Sequence, residues 1–421
     1  RSSPPARSVP DPRAPGSRVP GRLVPGRLVP GRLVPGRLVP GSLVLGSLLL
    51  GSLASCSVVR HPAAEFRGDR PPPVASPEEV ATTVIRPRDI EAHIAFLAAD
   101  ARQGRATPSR GLDRAAAWIA ERFHGAGLRA AGDSGGYLQY WPMDTARAEA
   151  GAPADTASPA DTAPPADTAP PADTAARREG GAGGTVLVPN VVGRLPGNDL
   201  TRADEYVVLV AHFDHLGVGE PDASGDSVYN GADDNASGVA ALVEVAEAFA
   251  ALPEPPARPV LFLAVSGTER EMLGSTWYAA HPTVTLSRAV AVLNIDMIGR
   301  NAPDSIGVVG YRSSSLGPLV EELAAAAPDL GLVVQPDSAP ERDLFSRGDH
   351  LPFARRGIPA IRVFSGLHDD YHTPADEAAA VDDRKVARVA RLVFLTALRL
   401  ASQDRRPAWT EAGREAIRPP E

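Results

Sequence analysis

Tyr206-Val-Val-Leu-Val-Ala-His212-Phe-Asp214-His215 is the stretch whose reading decides the fold. Its apolar residues run on without polar alternation, which is the pattern of a strand buried on both faces. Such strands belong to parallel sheets covered by helices. At the carboxyl end of the run stand two imidazoles and a carboxylate. In open α/β sheets, ligands bind beyond the carboxyl ends of the strands, so the same ten residues point to a site.

The pattern repeats outward from this strand. Apolar runs predict strands over Val186–Val192, Tyr206–Ala211, Val260–Val265, Ala289–Ile295, Ile306–Val309 and Ile358–Phe364. Helical periodicity predicts helices over Ser237–Leu252, Glu271–Ala280, Ser315–Ala326 and Asp383–Ala401. Upstream, Ile90, Ile94 and Leu97 share one helical face. Ala115, Ile119 and Phe123 share another, over Leu112–Gly125, with Gly125 and Gly127 as its stop. The fold class is α/β: a mixed, mostly parallel central sheet with helices on both faces.

The residues just past the strands carry chemistry. His212 and Asp214 come after the first strand quoted, and Asp233-Asp234 lies in the loop before the next helix. Thr268-Glu269 comes after Val265, Asp296 after Ile295, and His368 and His372 lie beyond Phe364. Alone, an acid after a strand is ordinarily a helix cap or a solvated loop residue. Imidazole and carboxylate together, at successive strand ends, are the ligands of a hydrolytic zinc site. Two metals side by side need a bridging carboxylate and about two further ligands each; two histidines and three acids supply that number.

The segments HFDHLG (His212–Gly217), YNGADDNASG (Tyr229–Gly238), LNIDMIGR (Leu293–Arg300) and YHTPAD (Tyr371–Asp376) resemble the M28 family of zinc aminopeptidases. DHLPFARRGIPA (Asp349–Ala360) and the stretch Ala92–Pro142 match it too, so the resemblance covers residues 88–142 and 185–402. It implies an eight-stranded mixed sheet, two zinc ions, and cleavage of the N-terminal residue from peptides with a free N-terminus. Carried over by position, His212 and Asp296 hold one zinc, Glu269 and His372 the other, and Asp234 bridges them. Asp214 orients the His212 imidazole, and the Asp234–Asn235 peptide is the candidate for a cis bond.

One position departs from the family pattern. The stretch Gly267-Thr268-Glu269-Arg270-Glu271-Met272-Leu273-Gly274-Ser275 carries the zinc-binding Glu269, but Thr268 stands where the family has its general base. Threonine accepts no proton at neutral pH, and a general base supplies about 10²–10⁴-fold. Glu271 is the candidate substitute. The alternatives are a catalytically impaired homologue that binds peptides, or a glutaminyl-cyclase-like activity on a single zinc.

The rest of the chain divides by composition. Of 421 residues, 43 are proline and 39 glycine, concentrated in two low-complexity stretches. The first is a decaying five-residue repeat with a basic front and an apolar run from about Leu43 to Ala54, too short to span a bilayer and suited to a signal peptide. It ends in Leu53-Ala-Ser-Cys56, and Cys56 is the sole cysteine. Residues 1–56 therefore read as a signal peptide with a lipobox cysteine. They predict a lipid anchor holding the protein to a membrane of a bacterial cell envelope, on its periplasmic or extracellular face.

Residues 57–87 read as a flexible tether and 88–142 as the N-terminal helical part. Residues 143–184 form a disordered Pro/Ala/Asp/Thr repeat insertion, 185–402 the catalytic domain and 403–421 a tail. The single cysteine excludes intrachain disulfides and Cys-based zinc sites. A net charge of −8 argues against a nucleic-acid surface. Gly132-Asp-Ser134-Gly-Gly136 matches G-x-S-x-G but lacks the preceding strand and following helix that a nucleophile needs.

Overall fold

Ser76 opens the first helix with a capping box. Its hydroxyl accepts from the Glu79 amide at 3.2 Å, and the Glu79 carboxylate accepts from the Ser76 amide at 2.8 Å. With Pro77 in the first helical position this starts helix α1 (Pro77–Val84). The expected tether over 57–87 is thus too long. Val80 and Ala81 are buried, so the folded unit begins about ten residues earlier than its proline and arginine content suggests. The computed structural model describes residues 75–144, 184–336 and 343–417. The expected signal peptide, Cys56 and the Ala-Asp-Thr repeat lie outside the described residues.

Helices α2 (Pro87–Leu97) and α3 (Arg110–Gly125) bury the predicted faces, and Ser109 caps the second through the Leu112 amide. The next segment is not helical. Strands β1 (Arg129–Ala130) and β2 (Leu138–Asp144) both pair antiparallel with β3 (Thr185–Leu195), β2 from Leu138↔Val191 to Asp144↔Thr185. The chain continues through β4 (Val207–His212), a small hairpin of β5 (Gly217–Val218) and β6 (Val228–Tyr229), helix α4 (Gly238–Ala250) and β7 (Val260–Val265). Then come α5 (Leu273–Ala280), β8 (Ala291–Ile295), β9 (Ser305–Val309), α6 (Leu316–Ala326) and β10 (Val333–Pro336). Last are α7 (Leu351–Ala354), β11 (Ala360–Phe364), α8 (Asp383–Ser402) and α9 (Glu411–Ala416).

The main sheet has nine strands in the order β1-β3-β7-β4-β8-β11-β9-β10, with β2 also on β3. Its centre, β7-β4-β8-β11, is parallel; β3 and β9 join it antiparallel. The two faces separate along β4. Val207, Leu209 and Ala211 enter the core shared with α2, α3, α4 and α8. Val208 and Val210 enter a second core with Tyr278, Phe353 and Trp409. The predicted tail therefore contributes to packing: Trp409 is buried and its indole donates to the Gly357 carbonyl at 2.9 Å. Four parallel strand ends point the same way, and this positions the site. Among the described residues, no helix is long and apolar enough to cross a membrane.

Candidate metal centre

Strand ends supply half of the site. His212 is the last residue of β4, and Asp296 follows β8, its amide bonded to the Val363 carbonyl of β11 at 3.1 Å. Both are buried. The His212 Nδ1 faces the Asp214 carbonyl at 3.2 Å, so it carries the proton and turns Nε2 inward. Nε2 lies 3.3 Å from Asp234 Oδ1 and 3.5 Å from Asp296 Oδ1. The other oxygen of Asp296 forms an ion pair with Arg362 Nε at 2.9 Å.

Loops supply the other half. Asp234 turns its second oxygen, Oδ2, toward His372 Nε2 at 3.2 Å and toward His215 Nδ1 at 3.7 Å. Glu269 completes this group, with His215 Nδ1 at 3.4 Å and His372 Nε2 at 3.3 Å from its two oxygens. Asp234 therefore faces both groups, one oxygen to each.

The loop that carries Asp234 is tightly tied. Asn235 donates to the Ile295 carbonyl at 2.9 Å and accepts from the Gly238 and Met297 amides, each at 3.0 Å. The Asp376 carboxylate accepts from the Asp233 and Asp234 amides. The Asp234–Asn235 peptide is cis, as the resemblance implies. Arg105, fully buried, donates to the carbonyls of Leu97, Phe213, Asn230 and Gly231 at 2.6–2.9 Å. It clamps the loops after β4 and before α4 to the N-terminal helices, and burial pushes its pKa down to about 10.

These residues fit a divalent metal. Ligands about 2.0–2.2 Å from a tetrahedral zinc stand roughly 3.3–3.6 Å apart, close to the 3.2–3.7 Å between imidazole and carboxylate in the two groups. Asp296 Oδ1, His372 Nε2 and both ring nitrogens of His215 are buried without a hydrogen-bond partner, although such atoms ordinarily have one. The electrostatics agree. Burial works against ionisation of Asp234 and Glu269. The facing imidazoles nonetheless hold Asp234 well below the usual carboxylate range and Glu269 at about 2. Burial likewise opposes a charge on His372, yet Asp234 and Glu269 raise it to about 10. Carboxylates held ionised in so small and buried a volume call for cations.

The remaining predicted residues stand nearby. Asp214 is buried; its carboxylate accepts from the Thr107 hydroxyl at 2.9 Å and the Thr268 amide at 3.2 Å, and lies 3.7 Å from His212. The Thr268 hydroxyl donates to Asp349 at 2.9 Å, and the Ser275 hydroxyl donates to the same carboxylate at 2.6 Å. Burial pushes Asp349 up to about 6 against the pull of His212 and these hydroxyls. Glu271 is exposed at a positive-φ turn and joins neither ligand group. Ser134 sits in an exposed turn. Sequence reasoning missed three contributors: Arg105, Asp349 and His215. The last was visible in HFDH, but position in the family gave it no role.

Residues 190–397 match the model of peptidase family M28. A probable zinc metalloprotease of Leptosphaeria maculans is 26% identical, covering 50% of this chain and 57% of its own length. Aminopeptidase YwaD of Bacillus subtilis is 24% identical, covering 52% and 46%. The chain thus spans about half the length of these curated relatives. Among solved structures, an aminopeptidase from Aneurinibacillus sp. strain AM-1 superposes with a TM-score of 0.53 at 18% identity, over 77% of this chain and 96% of that one, a likeness of fold. With the matched segment running from β3 into α8 and carrying every acid and imidazole of the centre, the chain belongs to peptidase family M28.

Proposed function

We propose that the protein is a zinc-dependent exopeptidase that removes N-terminal residues from peptides, using two zinc ions. The observation that carries this reading is Asp234, which turns one carboxylate oxygen to each of two ligand groups. The Bacillus subtilis relative is named an aminopeptidase, which supports the choice of the amino end. When bound, the metals supply Lewis-acid activation of a water and of the scissile carbonyl.

The chain's own residues do the rest. His212 and Asp296 hold one position, Glu269 and His372 the other, and Asp214 fixes the loop around His212. The acid–base role falls to Asp349, reached through the Thr268 hydroxyl. A buried carboxyl raised to about 6 lies near neutral operating pH, where such a group works best. The exposed Glu271 takes no part.

The test is hydrolysis of a free-amine aminoacyl-anilide beside its N-acetylated form, with zinc content measured. Equal cleavage of both overturns the exopeptidase reading, and folded, zinc-supplied protein without bound metal overturns the metal reading. Thr268→Val and Asp349→Asn should each lower kcat by about 10²–10⁴-fold with metal content unchanged. A Thr268→Val variant at full rate removes the relay, and loss of activity in Glu271→Gln returns the role to Glu271. Thr268 also favours a second reading, a peptide-binding homologue with little turnover. Wild-type protein that binds zinc and free-amine peptides without cleaving them selects it. For location we propose lipid anchoring at Cys56; a Cys56→Ser variant that still partitions with membranes refutes it.

A further inference from the structure

His215 is the one imidazole of the centre that the two-zinc reading leaves idle. Its ring is fully buried, and neither nitrogen has a hydrogen-bond partner. Burying a polar atom unpaired is costly, and buried side chains almost always avoid it. The ring is also held in place. The His215 amide donates to the Arg105 carbonyl at 3.3 Å, and Arg105 in turn grips the carbonyl of Gly231. Gly231 has φ +57°, and a Cβ there would lie 2.5 Å from the His215 ring, so the position leaves room for the imidazole and nothing more. The ring faces the metal cluster: Nδ1 lies 3.4 Å from Glu269 and 3.7 Å from Asp234. Its plane stands at 74° to that of His372, with centroids 5.5 Å apart, so the two rings approach the same point from different sides.

We infer that His215 is a metal ligand, and that it completes a four-donor set with Asp234, Glu269 and His372. One donor atom from each of the four lies within 4.8 Å of all the others. The consequence is an unequal pair. The position held by His215, Asp234, Glu269 and His372 is filled by protein donors, the arrangement of a structural zinc site. The position held by His212, Asp234 and Asp296 has three donors and keeps a place open, the arrangement of a catalytic one. The inference rests on the zinc reading above and adds to it which position is filled by protein donors and which keeps a place open.

The test is metal binding by the full chain, read without activity. Wild-type protein should bind two zinc ions of different affinity, the weaker one removed first by a chelator. His215→Ala should weaken the tighter ion by more than 100-fold, beyond the 10–100-fold typical of residues that only orient a ligand. His372→Ala should do the same, and His212→Ala should weaken the other ion. His215→Cys loaded with cobalt(II) should gain a near-ultraviolet thiolate-to-metal charge-transfer band, because a thiolate at a ligand position binds the ion directly. The wild type, whose only cysteine is Cys56, is the blank. Two zinc ions in His215→Ala with wild-type affinities overturn the inference alone, as does a His215→Cys protein that binds cobalt without the band. Should His215→Ala fail to fold, the cysteine variant decides. Wild-type protein that binds no zinc overturns the reading beneath it.

Discussion

The two halves of the metal centre are built differently. His212 ends β4 and Asp296 directly follows β8, its neighbour in the parallel core, so the β4–β8 ladder brings the two together. Both are almost fully shielded, with side chains 2% and 3% exposed. Glu269 and His372 lie on loops and reach 14% and 32% exposure. The loops of the site are held by polar contacts with distant residues: Asp214 accepts from the Thr268 amide beside Glu269, and Asp376 and Arg105 tie down the loop of the shared Asp234. A strand end is placed by the hydrogen bonds of the sheet. A loop must be placed by side chains that the sheet does not provide. The half that admits solvent is thus the half that needs dedicated clamps.

The largest effect should come from the residue the halves share. Asp234→Ala removes a donor from both, so zinc content should fall from about two per chain to near zero and hydrolysis to background. One ion retained at wild-type affinity would show that the halves are independent. Arg105→Met comes next. It strips the donor from four buried carbonyls, which should cost about 3–5 kcal/mol in urea unfolding. Because the clamped loop carries Asp234, which both positions share, metal affinity should fall at both, and affinities unchanged at both would mean that the clamp serves folding alone.

Arg362→Met addresses the strand-end half. Without metal it leaves Asp296 a buried carboxylate without its cationic partner, and about 3–5 kcal/mol should be lost. With zinc bound, the ion neutralises Asp296 and the loss should shrink. Thermal unfolding with and without zinc reads the difference, and an identical loss in both states means Arg362 acts by packing, for instance over Phe364, where its guanidinium lies 3.9 Å from the ring centroid.

The same contrast explains what the sequence discloses. The six predicted strands and the buried helices were legible because apolar runs and 3.6-residue periodicity are local signals. His212, Asp296 and Glu269 were legible as the polar residues that end those runs. Strands β2 and β10 were not, since β2 carries proline and polar residues and depends on β3 for its pairing, and β10 is an edge strand of four residues. Helix α1 was hidden by prolines, although Ser76-x-x-Glu79 spells its capping box. Arg105 could not be found by pattern, and Asp349, though it opens the segment DHLPFARRGIPA, showed no role there. Their partners lie more than a hundred residues away for most of the Arg105 bonds, and 81 and 74 residues away for Asp349 with Thr268 and Ser275. Among the forty-three lysines and arginines of the chain, nothing local marks Arg105 as one that is buried.

The smallest expected effect is a pH dependence that belongs to the strand-end half. Asp349 is completely buried, and burial raises its carboxyl from 3.8 to about 6. Between those two values the folded chain binds more protons than the unfolded one, so stability falls as pH rises through the window. Above pH 6 the penalty is complete; a shift of about two units corresponds to roughly 3 kcal/mol. Asp349→Asn keeps an acceptor for the hydroxyls of Thr268 and Ser275 and removes the titration. In chelator-treated protein, its unfolding free energy minus that of the wild type should therefore climb by up to about 3 kcal/mol from pH 4 to pH 7. Chelation matters because bound zinc would stabilise the ionised form and mask the slope. Other carboxylates that titrate in this range, Asp383 among them, are common to both proteins and cancel in the difference. A difference that stays flat from pH 4 to pH 7 would mean that Asp349 is ionised throughout. The strand-end half would then carry one more negative charge than burial allows, and the acid–base role assigned to Asp349 would go with it.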